Sequence, residues 1–189
     1  MERKEMEELF DILDENGEVT GETAPRSYVH KHGLYHRTAH IWLIKDGKVM
    51  LQRRSPDKDS FPGRLDISSA GHISAGEAPL YSALRELEEE LGIKAAPSAL
   101  ELLGKISRHY VKHFRGEIFD DKELAFVYLF TGDFELSQIR MQQSEISEVG
   151  LYPLDECLRL AMDDEEPLNI REIELLREKC SLRYDLILK

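Results

Sequence analysis

Apolar residues recur along this chain with two periods. Leu80, Leu84, Leu87 and Leu91 step by three and four, which puts them on one stripe and predicts an α-helix over residues 79–91. Pro79 suits the first turn, where its missing N–H has no partner to lose, and Gly92 suits the stop. The other segments read as strands and turns. Residues 40–44 and 48–53 are apolar runs joined by Asp46-Gly47, a hairpin signal, and residues 10–14 and 19–21 flank a second one at Asn16-Gly17. Strands are also expected over 65–70, 99–107 and 123–131, with a short one at 150–152. Further helices are expected over 154–162 and 170–180. Residues 22–33 read as a polar connection, and 55–63, with Pro56 and Pro62, as a loop. Residues 107–122 read as another loop, whose Lys112 and Arg115, flanked by His109 and His113, form a basic rim. The mixture predicts an α/β layered domain.

Composition narrows the partners. The 189 residues, 41% hydrophobic and 33% charged, fit one soluble domain with embellishments, and no apolar run approaches a membrane span. The start of the chain is charged and lacks the apolar stretch of a signal peptide. Cys157 and Cys180 have no metal-type spacing, so a reducing cytoplasm is expected. A net charge of -12 argues against binding a nucleic-acid polymer. A small anionic substrate would need cations placed locally, and metal ions with a few Arg or Lys are the obvious supply.

The chemistry concentrates on the predicted helix. At about 100° per residue, Glu86 and Glu90 lie about 40° apart and Glu89 about 60° to the other side of Glu86, so all three share one face beside the leucine stripe. Like charges one turn apart destabilise an isolated helix by a few tenths of a kcal/mol, roughly, and a divalent cation reverses that sign. Three glutamates alone would be an acidic, solvated face. They stand, however, inside a longer run: Gly71-His72-Ile73-Ser74-Ala75-Gly76-Glu77, then Arg85-Glu86-Leu87-Glu88-Glu89-Glu90-Leu91-Gly92-Ile93.

This run resembles the Nudix box, G-x5-E-x7-R-E-U-x-E-E-x-G-U with U a bulky apolar residue, and every fixed position matches. The resemblance implies the Nudix fold, a mixed β-sheet sandwiched between α-helices, here with an N-terminal β-hairpin extension. Its organisation would be an extension over 1–34, a hydrolase domain over 35–165 and a C-terminal helix over 166–189. It implies Mg2+ or Mn2+ held by Glu86, Glu89, Glu90 and the Gly71 carbonyl. Glu89 and Arg85 would also act in catalysis, Arg85 by orienting a carboxylate, with Glu77 bracing the turn into the helix. A glutamate late in the chain, here Glu145, is an additional ligand or general base in many relatives. Arg53 and Arg54, at a strand end, are candidates for substrate phosphates, one pointing to each side.

The surroundings, Leu51-Gln52-Arg53-Arg54-Ser55, Phe61-Pro62-Gly63 and Gly71-His72, look like the isopentenyl diphosphate isomerase-like branch. His36, Asp121 and Glu123 fall near that enzyme's metal ligands. The spacings His30/His32 and His36/His40 could also bind metal, but these four otherwise read as loop and packing residues. The isomerase needs a cysteine just before its Gly-His pair, and this chain has Ala70 there, which transfers no proton. The expected activity is therefore metal-dependent hydrolysis of a small nucleoside diphosphate linked to a group X, with the isomerase as the alternative. A homodimer is open, since the N-terminal hairpin could pair between subunits or lie on its own domain.

Overall fold

A computed structural model describes residues 7–163 and 166–187 of the chain, with no account of side chains from 182 onward. Most of the charged start lies outside it. The elements are β1 (Leu9–Leu13), β2 (Val19–Pro25), α1 (Arg26–His32), β3 (Tyr35–Lys45), β4 (Lys48–Arg54), β5 (Leu65–Asp66), β6 (Ser69–His72), α2 (Pro79–Leu91), β7 (Leu100–Phe114), β8 (Glu117–Phe130), β9 (Ile146–Pro153), α3 (Leu154–Leu160) and α4 (Ile170–Ile187). A seven-stranded sheet runs β5-β4-β3-β8-β7, with β6 added to β3 and β9 to β4. The β3–β8 pair is parallel and its neighbours are antiparallel, so the sheet is mixed.

Strand alternation sorts the two faces. Ala39, Ile41 and Leu43 of β3 pack with Ala83, Leu87 and Leu91 of α2. Trp42 of β3 packs with Ala125, Val127 and Leu129 of β8 and with Cys157, Ile173 and Leu176 of α3 and α4. The helices thus cover both faces, as expected. The leucine stripe anchors α2 as predicted, with Leu87 and Leu91 fully buried and Leu80 and Leu84 partly so. Gly92 ends the helix at φ 71°, its N–H donating to the Glu88 carbonyl.

Both predicted hairpins form. Asp46 and Gly47 take positive φ between β3 and β4, and Asp14 accepts the Asn16 and Glu18 backbone N–H groups in the turn between β1 and β2. That first hairpin lies on its own domain. Phe10 is fully buried, Ala75 N–H donates to the Leu9 carbonyl, and Asp11 takes an ion pair from Arg37 at 2.6 Å.

Several sequence expectations need correction. The polar connection over 22–33 is the end of β2 plus α1. That helix has one turn of core contact, through Val29 and His30, too little to show as a stripe. The strand expected over 65–70 is two pieces, β5 on β4 and β6 on β3. The loop expected over 107–122 is a continuous β7–β8 ribbon that turns at Arg115-Gly116. Its outer part pairs with nothing further and alternates only between exposed and half-buried positions, so no apolar period marks it. β9 is also longer than predicted, and β3 begins at Tyr35, its start hidden from an apolar reading by His36 and Thr38, which are polar yet buried.

Candidate active site

A cleft of about 250 Å3 opens between β6, α2, the start of β3 and β8, the loop over 55–63 and the approach to β9. Its first wall is α2 against β6. Glu90 is buried and accepts from Ser69 Oγ at 2.7 Å and from the Ala70 N–H at 3.1 Å. Glu86 lies so close to Gly71 that a Cβ there would stand 2.1 Å from its carboxyl carbon. Only glycine lets backbone and carboxylate approach in this way. Glu89, one step round the helix, is half exposed.

The electrostatics of this wall are unbalanced. Burial, then the charge of Glu86, pushes Glu90 up to about 8, against the hydrogen bonds from Ser69 and Ala70. Burial pushes Glu86 up to about 7, with Glu89 adding to it and Arg85 opposing. Arg85 donates to Glu86 at 2.7 Å, to Glu89 at 3.2 Å and to the His72 carbonyl at 3.2 Å, and it pairs with Glu77 at 3.4 Å. Burial works against its charge, but Glu86, Glu77 and Glu89 outweigh it and hold the guanidinium protonated. Glu77 also takes the Ser82 hydroxyl at 2.6 Å, bracing the turn into the helix as expected. One guanidinium shared among three carboxylates leaves negative charge over. Hard oxygen donors on a rigid helix, a glycine cradle and excess negative charge together fit Mg2+ or Mn2+.

Glu145 faces the cleft and pairs with Lys58. Arg54 lines it too, its guanidinium held by Asp66 at 2.9 Å and by the Ser60 carbonyl at 3.0 Å. Arg53 points the other way, as strand alternation requires. It bonds Glu148 at 3.1 Å and the Gly63 carbonyl at 3.0 Å, and it is not among the cleft's lining residues.

The second wall is lined by His72, Asp121 and Glu123, with His30 and His36 buried behind it. His30, His36 and His72 bring ligand nitrogens within 4.8 Å of one another, and His36 does the same with Asp121 and Glu123. His30 and His36 stand in these clusters and also pack against Phe10, while His32 stays on the surface, stacked on Tyr28. His36 Nδ1 donates to the Leu34 carbonyl at 3.0 Å. His36 Nε2 and Asp121 Oδ1 lie 3.5 Å apart, both buried, both without a hydrogen-bond partner among the described residues. Buried polar atoms left in this way are costly unless a proton or a cation sits between them. Burial holds His30 down to about 4 and His72 well below its usual range, so both are neutral imidazoles, the metal-binding form. Phe10 stacks on His72 at 4.5 Å and on His36 at 5.3 Å, so the N-terminal hairpin completes this wall.

The register between β3 and β8 explains why these groups meet. His36 sits opposite Glu123, Thr38 opposite Ala125 and Trp42 opposite Leu129. Two parallel strands therefore change from titratable residues to core at the same level. His40, on that face, donates Nδ1 to Glu172 at 2.9 Å, and Trp42 donates to the same buried carboxylate at 3.0 Å. Burial opposes a charge on His40, but Glu172 outweighs it and raises its pKa to about 9. Arg108 pairs with Glu123 at 3.1 Å, and Tyr110 donates to Asp121 at 2.7 Å.

Sequence reasoning missed Lys58, Arg108, Tyr110 and Arg26. Arg26 lines the cleft with no side-chain partner among the described residues. Nothing local announces it, because its place depends on how α1 packs. Asp121 and Glu123 did leave a signal, since they continue the inward period of Ala125 and Val127 along β8.

A family model of the NUDIX domain matches residues 34–172. A plant protein described as Nudix hydrolase 3, from Arabidopsis thaliana, is 39% identical over 95% of this chain, which spans 24% of that longer protein. An uncharacterized Nudix hydrolase of Clostridium acetobutylicum is 36% identical over 81% of this chain and 73% of its own length. The crystal structure of a Deinococcus radiodurans protein, DR0079, superposes with a TM-score of 0.67 at 20% identity, covering 90% of this chain and 98% of that one. These matches do not single out the isomerase-like branch.

Proposed function

Because this chain belongs to the Nudix hydrolase family, we propose that it cleaves a phosphoanhydride bond in a small nucleoside diphosphate-X type compound, with Mg2+ or Mn2+. The observation that carries this reading is the pair Glu86 and Glu90 beside Gly71, both raised chiefly by burial and further by neighbouring carboxylates. Glu86, Glu89, Glu90 and the Gly71 carbonyl would hold one metal site. His30, His36, His72, Asp121 and Glu123 would hold a second. Bound there, divalent ions neutralise the diphosphate and lower the pKa of a water.

The protein's own groups then have separable tasks. Arg85 fixes the carboxylates of Glu86 and Glu89. Arg54, Lys58 and Arg26 face the phosphates, and charge developing on phosphate oxygens is met by guanidinium and ammonium. Water attacks phosphorus, the bridging P–O bond breaks, and a carboxylate takes the water's proton. Glu145 and Glu89 are the candidates for that base, each exposed enough to reach a water in the cleft. Ala70 lines the cleft where the isomerase would carry its cysteine, so proton transfer to carbon finds no donor at this position.

No helix of the described residues is long and apolar enough to cross a membrane. A buried Cys157 and no disulfide among the described residues suit a reducing cytoplasm. Homodimerisation would have to use a surface other than the β1–β2 face that packs on the domain.

The test is metal-dependent release of a monophosphate from a panel of nucleotide sugars, dinucleotides, nucleoside triphosphates and isoprenoid diphosphates. Turnover that needs Mg2+ or Mn2+ and disappears in Glu90→Gln is expected. Absence of turnover across the panel, or full activity in Glu90→Gln, overturns the reading. Solvent-proton exchange into isopentenyl diphosphate, followed by NMR, would establish the isomerase instead.

A further inference from the structure

Resting on the hydrolase reading above, we propose that Arg115, at the tip of the β7–β8 ribbon, is a positioning residue for the reaction. It clamps the loop over 55–63 from outside and so holds Lys58 in the cleft for the substrate's phosphates. The ribbon is longer than the sheet requires. β8 pairs with β3 from Lys122 to Phe130, and beyond Lys122 the two ribbon strands pair only with each other, as far as Phe114 and Glu117. A two-stranded ribbon standing alone is marginal in water, so its outer part depends on what it touches. Phe119 stacks on His30 of α1 at 4.5 Å. Past that point the tip faces α1 across a second cavity of about 1040 Å3, lined by Tyr28, Lys31, Phe114 and Ile118 among others. The Arg115 guanidinium reaches the loop instead.

Arg115 donates to the Asp57 carbonyl at 3.1 Å, to the Lys58 carbonyl at 3.4 Å and to Asp59 Oδ1 at 3.3 Å, taking hold of three consecutive loop residues. Beside it, Phe114 meets the buried Phe61 of the same loop edge-on at 4.9 Å. Phe61 and Arg115 both hold a left-handed backbone without being glycine, at φ 47° and 53°. Such strain persists only where the surrounding contacts fix it. From the cleft side, Arg54 holds the loop through the Ser60 carbonyl at 3.0 Å and the Ser60 hydroxyl at 3.2 Å. Lys58 is therefore held by its backbone from outside, while its side chain lines the cleft and pairs with Glu145. The Arg115–Asp59 pair is exposed on both sides and contributes little to stability, so what the clamp fixes is position.

The experiment measures binding of methylene diphosphonate, whose carbon bridge is not hydrolysed, to the whole chain in Mn2+ by calorimetry. Arg115→Asn is the test variant, because asparagine tolerates the left-handed turn but is too short to span the loop. Lys58→Ala is expected to weaken the diphosphonate about tenfold and Arg115→Asn about fivefold, with the double variant within about twofold of Lys58→Ala. A merely structural residue would add its loss to that of Lys58. Hydrogen exchange at the Lys58 and Arg64 amides, which close turns on the Ser55 and Phe61 carbonyls, should quicken at least about tenfold in Arg115→Asn. Additive losses, unchanged affinity in Arg115→Asn, or unchanged exchange overturns the proposal while the hydrolase reading stands. No binding of the diphosphonate by the unaltered protein also overturns the proposal, and if no diphosphate is turned over either, the hydrolase reading falls with it.

Discussion

One wall of the cleft, Gly71 with α2, takes its chemistry from a single continuous stretch of chain. The facing wall draws His30 from α1, His36 from β3, His72 from β6, and Asp121 and Glu123 from β8. The first wall is made by helix rotation, which places Glu86, Glu89 and Glu90 on one face wherever the helix goes. The second is made by strand register and by the packing of an N-terminal hairpin. The first collects carboxylates whose ionisation burial opposes, the second two buried polar atoms, His36 Nε2 and Asp121 Oδ1, without a hydrogen-bond partner among the described residues. A ligand set can thus be local or assembled. Only the local kind has a readable spacing.

The largest effect should come from the carboxylate wall. Glu90→Gln is expected to lower kcat/KM by at least about 10^3, several kcal/mol of transition-state stabilisation, with folding intact by circular dichroism. Retained activity would make α2 an ordinary acidic face. On the other wall, His36→Gln should abolish one of two Mn2+ binding steps in calorimetry, or weaken it more than about 100-fold, while the step lost in Glu90→Gln persists. If one variant removes both steps, the two walls form a single site and the comparison collapses.

Arg85→Lys separates positioning from ligation. Lysine keeps the charge but cannot reach Glu86, Glu89 and Glu77 together, so kcat should fall about 10–100-fold with little change in metal stoichiometry. A full loss of metal would make Arg85 essential to forming the site.

Proton linkage gives a test without substrate. Glu90 moves from 4.5 in the unfolded chain to about 8 in the fold, chiefly by burial. Below about pH 4.5 both states hold the proton. Between there and about 8 only the unfolded chain ionises, so stability falls as pH rises through that window, and above it the full penalty remains. In chelator, Tm should drop by at least about 3 °C between pH 5 and pH 8, and Mg2+ should reverse the drop. A Tm that rises with pH in chelator would contradict the electrostatics described for this wall.

The smallest contrast lies on β4. Arg54→Ala should cost about tenfold in kcat/KM, and Arg53→Ala less than about twofold, because only Arg54 faces the cleft. Equal losses would mean that Arg53 leaves Glu148 when substrate binds.

Much of the fold was legible where periodicity and turn chemistry were strong. The bounds of α2, the Asn16-Gly17 and Asp46-Gly47 hairpins, and the loop over 55–63 could be read directly. The β7–β8 ribbon and α1 were not, because neither has a face that is apolar along its whole length. Alternation promised that Arg53 and Arg54 would point apart. Which of the two met the cleft depended on which face of β4 turns toward Ser60 and Asp66, and these hold Arg54.

The sequence by itself determined the carboxylate wall: its helix, its stop at Gly92, its leucine anchor and its glycine cradle, the features on which the proposed metal chemistry rests. Each of these follows from spacings within a few turns of one backbone. Only the tertiary structure decided the histidine wall, the place of Arg26 at the cleft, the Glu172 carboxylate beneath His40, and the second cavity. Their members lie far apart in the chain, and contact between them is fixed by the parallel register of β3 on β8 and by the docking of α1, α4 and the N-terminal hairpin.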